Sequence, residues 1–124
     1  MTLEQFYNAS NYIEDFDWLI KRKAVLSFSR PNTYEVCNEI LNSINDKNNY
    51  LIEYNKVKSL IESLSTEEQM LLKYRYRNGW TVDKVSEITS KSERTLVRKY
   101  TRIAKILMKG GVEINGRRTT TKPN

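Results

Sequence analysis

Arg94, Arg98, Lys99, Arg102 and Lys105 recur at helical spacing in the run ERTLVRKYTRIAKILM. Cations gathered in this way on one helix bind anions. Among them, Leu96, Tyr100, Ile103 and Leu107 are spaced four, three and four residues apart, which lays an apolar stripe along the other face. Ser92 stands where this helix must begin and is a good N-cap. Ahead of it, TVDKVSEI is a short amphipathic run capped by Thr81, and Thr89-Ser90-Lys91 separates the two. A short helix, a tight turn and a longer basic helix is a geometry that fits the DNA major groove.

In that pose the start of the second helix faces base edges. Lys91, Glu93, Arg94, Thr95 and Arg98 are the base-contacting candidates. An arginine can donate two bonds to guanine, and a glutamate can accept from a cytosine amine. Thr95 is equally placed to cap. Lys99, Arg102 and Lys105 fall where phosphates run, and such contacts hold register without reading sequence. Thr81 offers a phosphate the free N–H groups at a helix start, and Arg75 and Arg77 reach the backbone from the preceding helix.

The charge distribution agrees with a polyanion partner. The net charge of +6 divides into −4 over residues 1–70 and +10 over residues 71–124. Enzyme chemistry is not expected. The chain has no His and one Cys, so it offers no imidazole base, no Cys/His zinc set and no internal disulfide, and no cofactor is implied. Cys37, beside Val36 and Ile40, reads as a small buried hydrophobe. No apolar run is long enough to span a bilayer and no basic-then-apolar leader opens the chain. The expectation is a cytoplasmic protein with no membrane partner.

The elements that must position these side chains are helical, and the expected class is all-α. A first helix is predicted over 2–26, capped by Thr2, with Phe6, Ile13, Phe16 and Ile20 on one face and Tyr12, Leu19 and Leu26 on a neighbouring stripe. Pro31 breaks the chain and forces Arg30 toward an extended backbone. Thr33 then caps a helix over 34–42 that turns Val36, Cys37, Ile40 and Leu41 inward, and the Asn-rich stretch 42–49 reads as a loop or a frayed turn. A third helix over 47–64 carries Tyr50, Tyr54, Val57, Ile61 and Leu64. That is two heptads, short of a coiled coil, and antiparallel pairing with the first helix would explain both stripes. Ser65 and Glu68 form a capping box for a fourth helix over 66–77, with Met70, Leu71, Tyr74 and Tyr76 inward, ended by Gly79. Trp80 covers the junction, and a fifth helix over 82–88 buries Val85 and Ile88. The remainder, KGGVEINGRRTTTKPN, reads as a flexible tail whose Arg117, Arg118 and Lys122 are available as an arm.

From Leu64 onward the chain resembles region 4 of sigma-70-type factors. The residues that carry the likeness are Leu64-Ser65, Glu67-Glu68, Tyr74-Arg75-Tyr76, Gly79-Trp80-Thr81 and Ser92-Glu93-Arg94-Thr95. Where that family has a glycine in a left-handed turn this chain has Ser90. Lys91 and Thr89 stand where larger apolar residues are usual. The first 60 residues are too short and too acidic for a promoter-melting domain. Helical stripes followed by a region 4-like end are similar to small phage late-gene regulators of the ArpU type. That resemblance implies a DNA-binding activator of packaging and structural genes. The same residues would also suit an autorepressor, or a phage inhibitor whose N-terminal helices bind host RNA polymerase or another host protein. The expected division is 1–63 for oligomerisation or partner binding, 64–108 for double-stranded DNA, and 109–124 as a basic tail. A homodimer through the N-terminal helices is expected.

Overall fold

A computed structural model of the chain describes residues 1–29 and 33–114. The described residues are all-helical apart from a single bridge between Thr2 and Glu113. The helices are α1 (Leu3–Tyr7), α2 (Ala9–Leu26), α3 (Thr33–Glu62), α4 (Thr66–Leu72), α5 (Val82–Thr89) and α6 (Glu93–Lys109). A 3-10 turn, Ser27–Ser29, follows α2, and a π-helical turn, Lys73–Arg77, follows α4. Among the described residues no helix is long and apolar enough to cross a membrane.

The chain forms two compact units. One, Asn8–Asn55, is an antiparallel helical hairpin of α2 and most of α3. Tyr50 stacks on Tyr12 and packs against Phe16, while Lys47 pairs with Asp17 at 2.7 Å and Lys23 donates to Ser43 at 2.8 Å. Partners rise in number on α2 as they fall on α3, which is the signature of antiparallel pairing. The expected loop at 42–49 is helix instead. Its low propensity is overcome because Ser43 and Lys47 continue the heptad of Val36, Ile40, Tyr50 and Tyr54 with side chains that α2 satisfies. Val36 takes the inward position, leaving Cys37 and Leu41 exposed, against expectation. A residue next to an inward one is turned about 100° away on a helix.

The other unit holds residues 1–7 and the described chain from Lys56 on, to residue 114. The predicted first helix is therefore two. Asn8, at φ −104° and ψ 28°, leaves helical geometry, and α1 joins this unit by burying Leu3. Thr2 and Gln5 cap it reciprocally, side chain to backbone, at 3.1 and 2.9 Å. Leu3, Val57, Ile61, Leu64, Leu71, Leu72, Val85, Leu96, Ile103, Leu107 and Val112 form one core. Each such side chain contributes about 1.5–3 kcal/mol on leaving water. Val112 is 3 % exposed and its N–H returns to Leu107, so the chain packs through residue 112 rather than fraying at 109. The tail residues Arg117, Arg118 and Lys122 lie outside the described residues, as does Arg30 with Pro31.

In this unit two expected core positions face out. Met70 is 39 % and Ile88 53 % exposed. The inward side of α4 is Glu68, Leu71 and Leu72, and that of α5 is Val82, Val85 and Thr89. Met70 lies about opposite the first set and Ile88 about a quarter turn from the second.

Candidate nucleic-acid interface

Three caps and one strained residue set the geometry around α6. Ser65 Oγ accepts from Glu68 N–H at 3.2 Å while Glu68 Oε1 accepts from Ser65 N–H at 3.0 Å, completing the expected capping box. Thr81 Oγ1 accepts from Lys84 N–H at 3.2 Å and starts α5. Ser92 Oγ accepts from Thr95 N–H at 3.1 Å and starts α6. Between α5 and α6, Ser90 adopts φ 60° and ψ 25°, the left-handed conformation that favours glycine. Ser86 Oγ closes this turn by donating to the Lys91 carbonyl at 2.6 Å.

The link from α4 to α5 is equally pinned. Asn78 N–H reaches back five residues to the Lys73 carbonyl at 2.9 Å, the bond of a π turn. Trp80 stacks on Tyr74 with centroids 5.0 Å apart, and its carbonyl accepts from Arg75 Nη1 at 2.7 Å. Gly79, at φ +70°, makes this reversal possible.

The inner side of α6 is Leu96, Ile103 and Leu107, all at most 1 % exposed, with Tyr100 donating to the Leu71 carbonyl at 2.7 Å. Burial holds the Tyr100 phenol well above its ordinary range, so it remains a donor at every working pH. Directly opposite, Arg94, Arg98, Lys105 and Lys109 form an exposed ridge along the whole helix. Lys109 was missed in the sequence reading, although its spacing continues the ridge. Arg94, Arg98 and Lys105 have no hydrogen bond or ion pair among the described residues. Arg98, Thr101, Arg102, Lys105 and Ile106 line a shallow hollow on this side.

Most of the other candidates are engaged within the chain. Glu67 is bracketed by Lys99 at 2.8 Å and Lys91 at 3.0 Å. Hydrogen bonds from Lys99 and Lys91 lower its carboxyl pKa to about 2. Arg102 reaches Glu68 Oε2 at 2.6 Å, although its side chain stays 70 % exposed. Lys91, Lys99 and Arg102 thus tie α4 to the turn and to α6. The neighbouring Asp83 carboxylate raises the pKa of Glu93. Thr95 Oγ1 accepts from Ser92 Oγ at 2.8 Å, so Thr95 serves the cap. Arg75 braces Trp80, Thr81 caps α5 while remaining exposed, and Arg77 is exposed at the end of the π turn. Among the described residues no group of three or more carboxylate or thiol side chains is placed to hold a metal ion.

Set against family models, curated proteins and solved structures, the chain finds no match.

Proposed function

We propose that this protein is a sequence-specific double-stranded DNA-binding regulator of transcription that inserts α6 into the major groove. The observation that carries the reading is the unpaired, exposed ridge of Arg94, Arg98 and Lys105 directly opposite the α6 core stripe, on a helix preceded by α5 and a tight turn. A basic ridge on a rod about 10–12 Å wide matches a groove about 12 Å wide.

On this reading Arg94 and Arg98 read bases, because they lie near the α6 N-terminus and have no competing partner. Lys105 and Arg77 meet phosphates. The exposed N-terminus of α5 at Thr81 adds a further phosphate contact through its backbone N–H groups. Lys91, Lys99 and Arg102 act chiefly by holding α6 in its docked position, since Glu67 and Glu68 already occupy them. The phage late-gene role rests on the resemblance of residues 64–108 to sigma region 4 and of the helical arrangement to ArpU-type regulators.

Selection of bound fragments from a pool of random duplexes at near-physiological salt tests the proposal. Enrichment of a discrete motif is expected. Recovery of fragments without a shared motif, at an affinity equal to that for bulk duplex, would reduce the ridge to a solvated charged surface.

A further inference from the structure

Trp18 stands 57 % exposed on α2, and Val25, seven residues on, is 67 % exposed. Leu19 and Leu26 flank them at 40 % and 38 %. These residues lie on the side of α2 away from Ile13, Phe16 and Ile20, which face α3. Isolated exposed apolar side chains are ordinary, but four in two turns of one helix form a patch that calls for a partner.

The charges around the patch identify the partner. Glu14 and Asp15 lie four and three residues before Trp18, and Lys21 and Arg22 lie three and four residues after it. At 3.6 residues per turn, all four share the face of Trp18. All are exposed, and Glu14, Asp15 and Lys21 form no ion pair among the described residues. The Arg22 guanidinium covers the Trp18 ring, 5.3 Å from its centroid. Charge on this face is therefore antisymmetric about Trp18.

We propose that α2 packs antiparallel against α2 of a second copy of this chain, with the two-fold axis at Trp18. That operation lays Glu14 and Asp15 of each helix on Lys21 and Arg22 of the other around a centre of two tryptophans, with Val25 against Asn11. Isologous contacts require such self-complementarity. Parallel pairing would set like charges together, and an unrelated partner would have no need of the antisymmetry. The pairing stands apart from the DNA-binding reading, because its readout is mass in the absence of DNA.

Sedimentation equilibrium of the full chain, over roughly 1–300 µM, the range suited to a small interface, is the test. The wild type should show a reversible monomer–dimer equilibrium. Glu14→Lys/Asp15→Lys and Lys21→Glu/Arg22→Glu should each be monomeric, since each face then carries one sign. Mixed in equal amounts, these two variants should recover dimer mass, which also shows that both are folded. Trp18→Gln, which keeps the charges, should weaken the dimer by about tenfold or more. A wild type that stays monomeric throughout would overturn the proposal. So would reversed variants that dimerise like the wild type, or a mixture that stays monomeric.

Discussion

Ser90 is the one non-glycine residue with positive φ among the described residues, and its side chain makes no hydrogen bond that compensates. Left-handed backbone costs an L-residue on the order of 1 kcal/mol. Ser90→Gly should therefore raise unfolding free energy by about that amount in urea titration, since the native strain outweighs the extra chain entropy glycine brings. An unchanged or lower midpoint would show that the turn is not strained. Tyr7 presents a second local conflict: its hydroxyl is buried without a hydrogen-bond partner, and burial raises its pKa to about 12. Tyr7→Phe should be neutral or stabilising by up to about 1 kcal/mol, and a loss greater than that would reveal a bond to the hydroxyl. Features of this size are legible in a sequence when the chemistry is local. Thr2, Ser65, Thr81 and Ser92 all cap as read, because each bond spans three residues. Cys37, Met70 and Ile88 were misplaced because each adjoins a residue that the tertiary partner prefers.

Elements were less legible where one helix satisfies another. The continuity of α3 through its Asn-rich stretch depends on Asp17 and Lys23, which lie far away in sequence. The carboxylates at the start of α4 show the same dependence, since their partners come from the α5–α6 turn and from α6. Glu68 both completes the capping box and pairs with Arg102. Glu68→Gln keeps the cap and should cost no more than about 1 kcal/mol, whereas Glu68→Ala loses both and should cost about 1–3 kcal/mol. Equal losses would mean that the cap contributes nothing. Glu67 adds a pH dependence. Its carboxyl pKa falls from an ordinary 4.5 to about 2 in the fold. Stability from this group is present above pH 4.5 and is lost as pH falls toward 2, because the unfolded chain takes up the proton first. The advantage of wild type over Glu67→Gln should accordingly shrink across that window and stay constant above it. An advantage that persists unchanged at low pH would contradict the bracketing by Lys99 and Lys91.

At the scale of the molecule, the sequence already separates a net −4 over residues 1–70 from +10 beyond them. Folding does not keep those halves apart, since Glu67 and Glu68 neutralise part of the basic set and residues 1–7 join the unit that carries α6. On α6 what remains unpaired among the described residues is Arg94, Arg98, Lys105 and Lys109. Lys99→Met, on this account, should lower stability while leaving the salt dependence of DNA binding nearly unchanged. Lys105→Ala should flatten the log–log salt slope by about one. The most direct measurement is the affinity of wild type and of Arg94→Ala/Arg98→Ala for an enriched duplex and for its scrambled counterpart at one salt concentration. The account predicts that the double substitution removes most of the preference for the enriched sequence while weakening scrambled DNA far less. Equal weakening of both duplexes, with the preference intact, would contradict it.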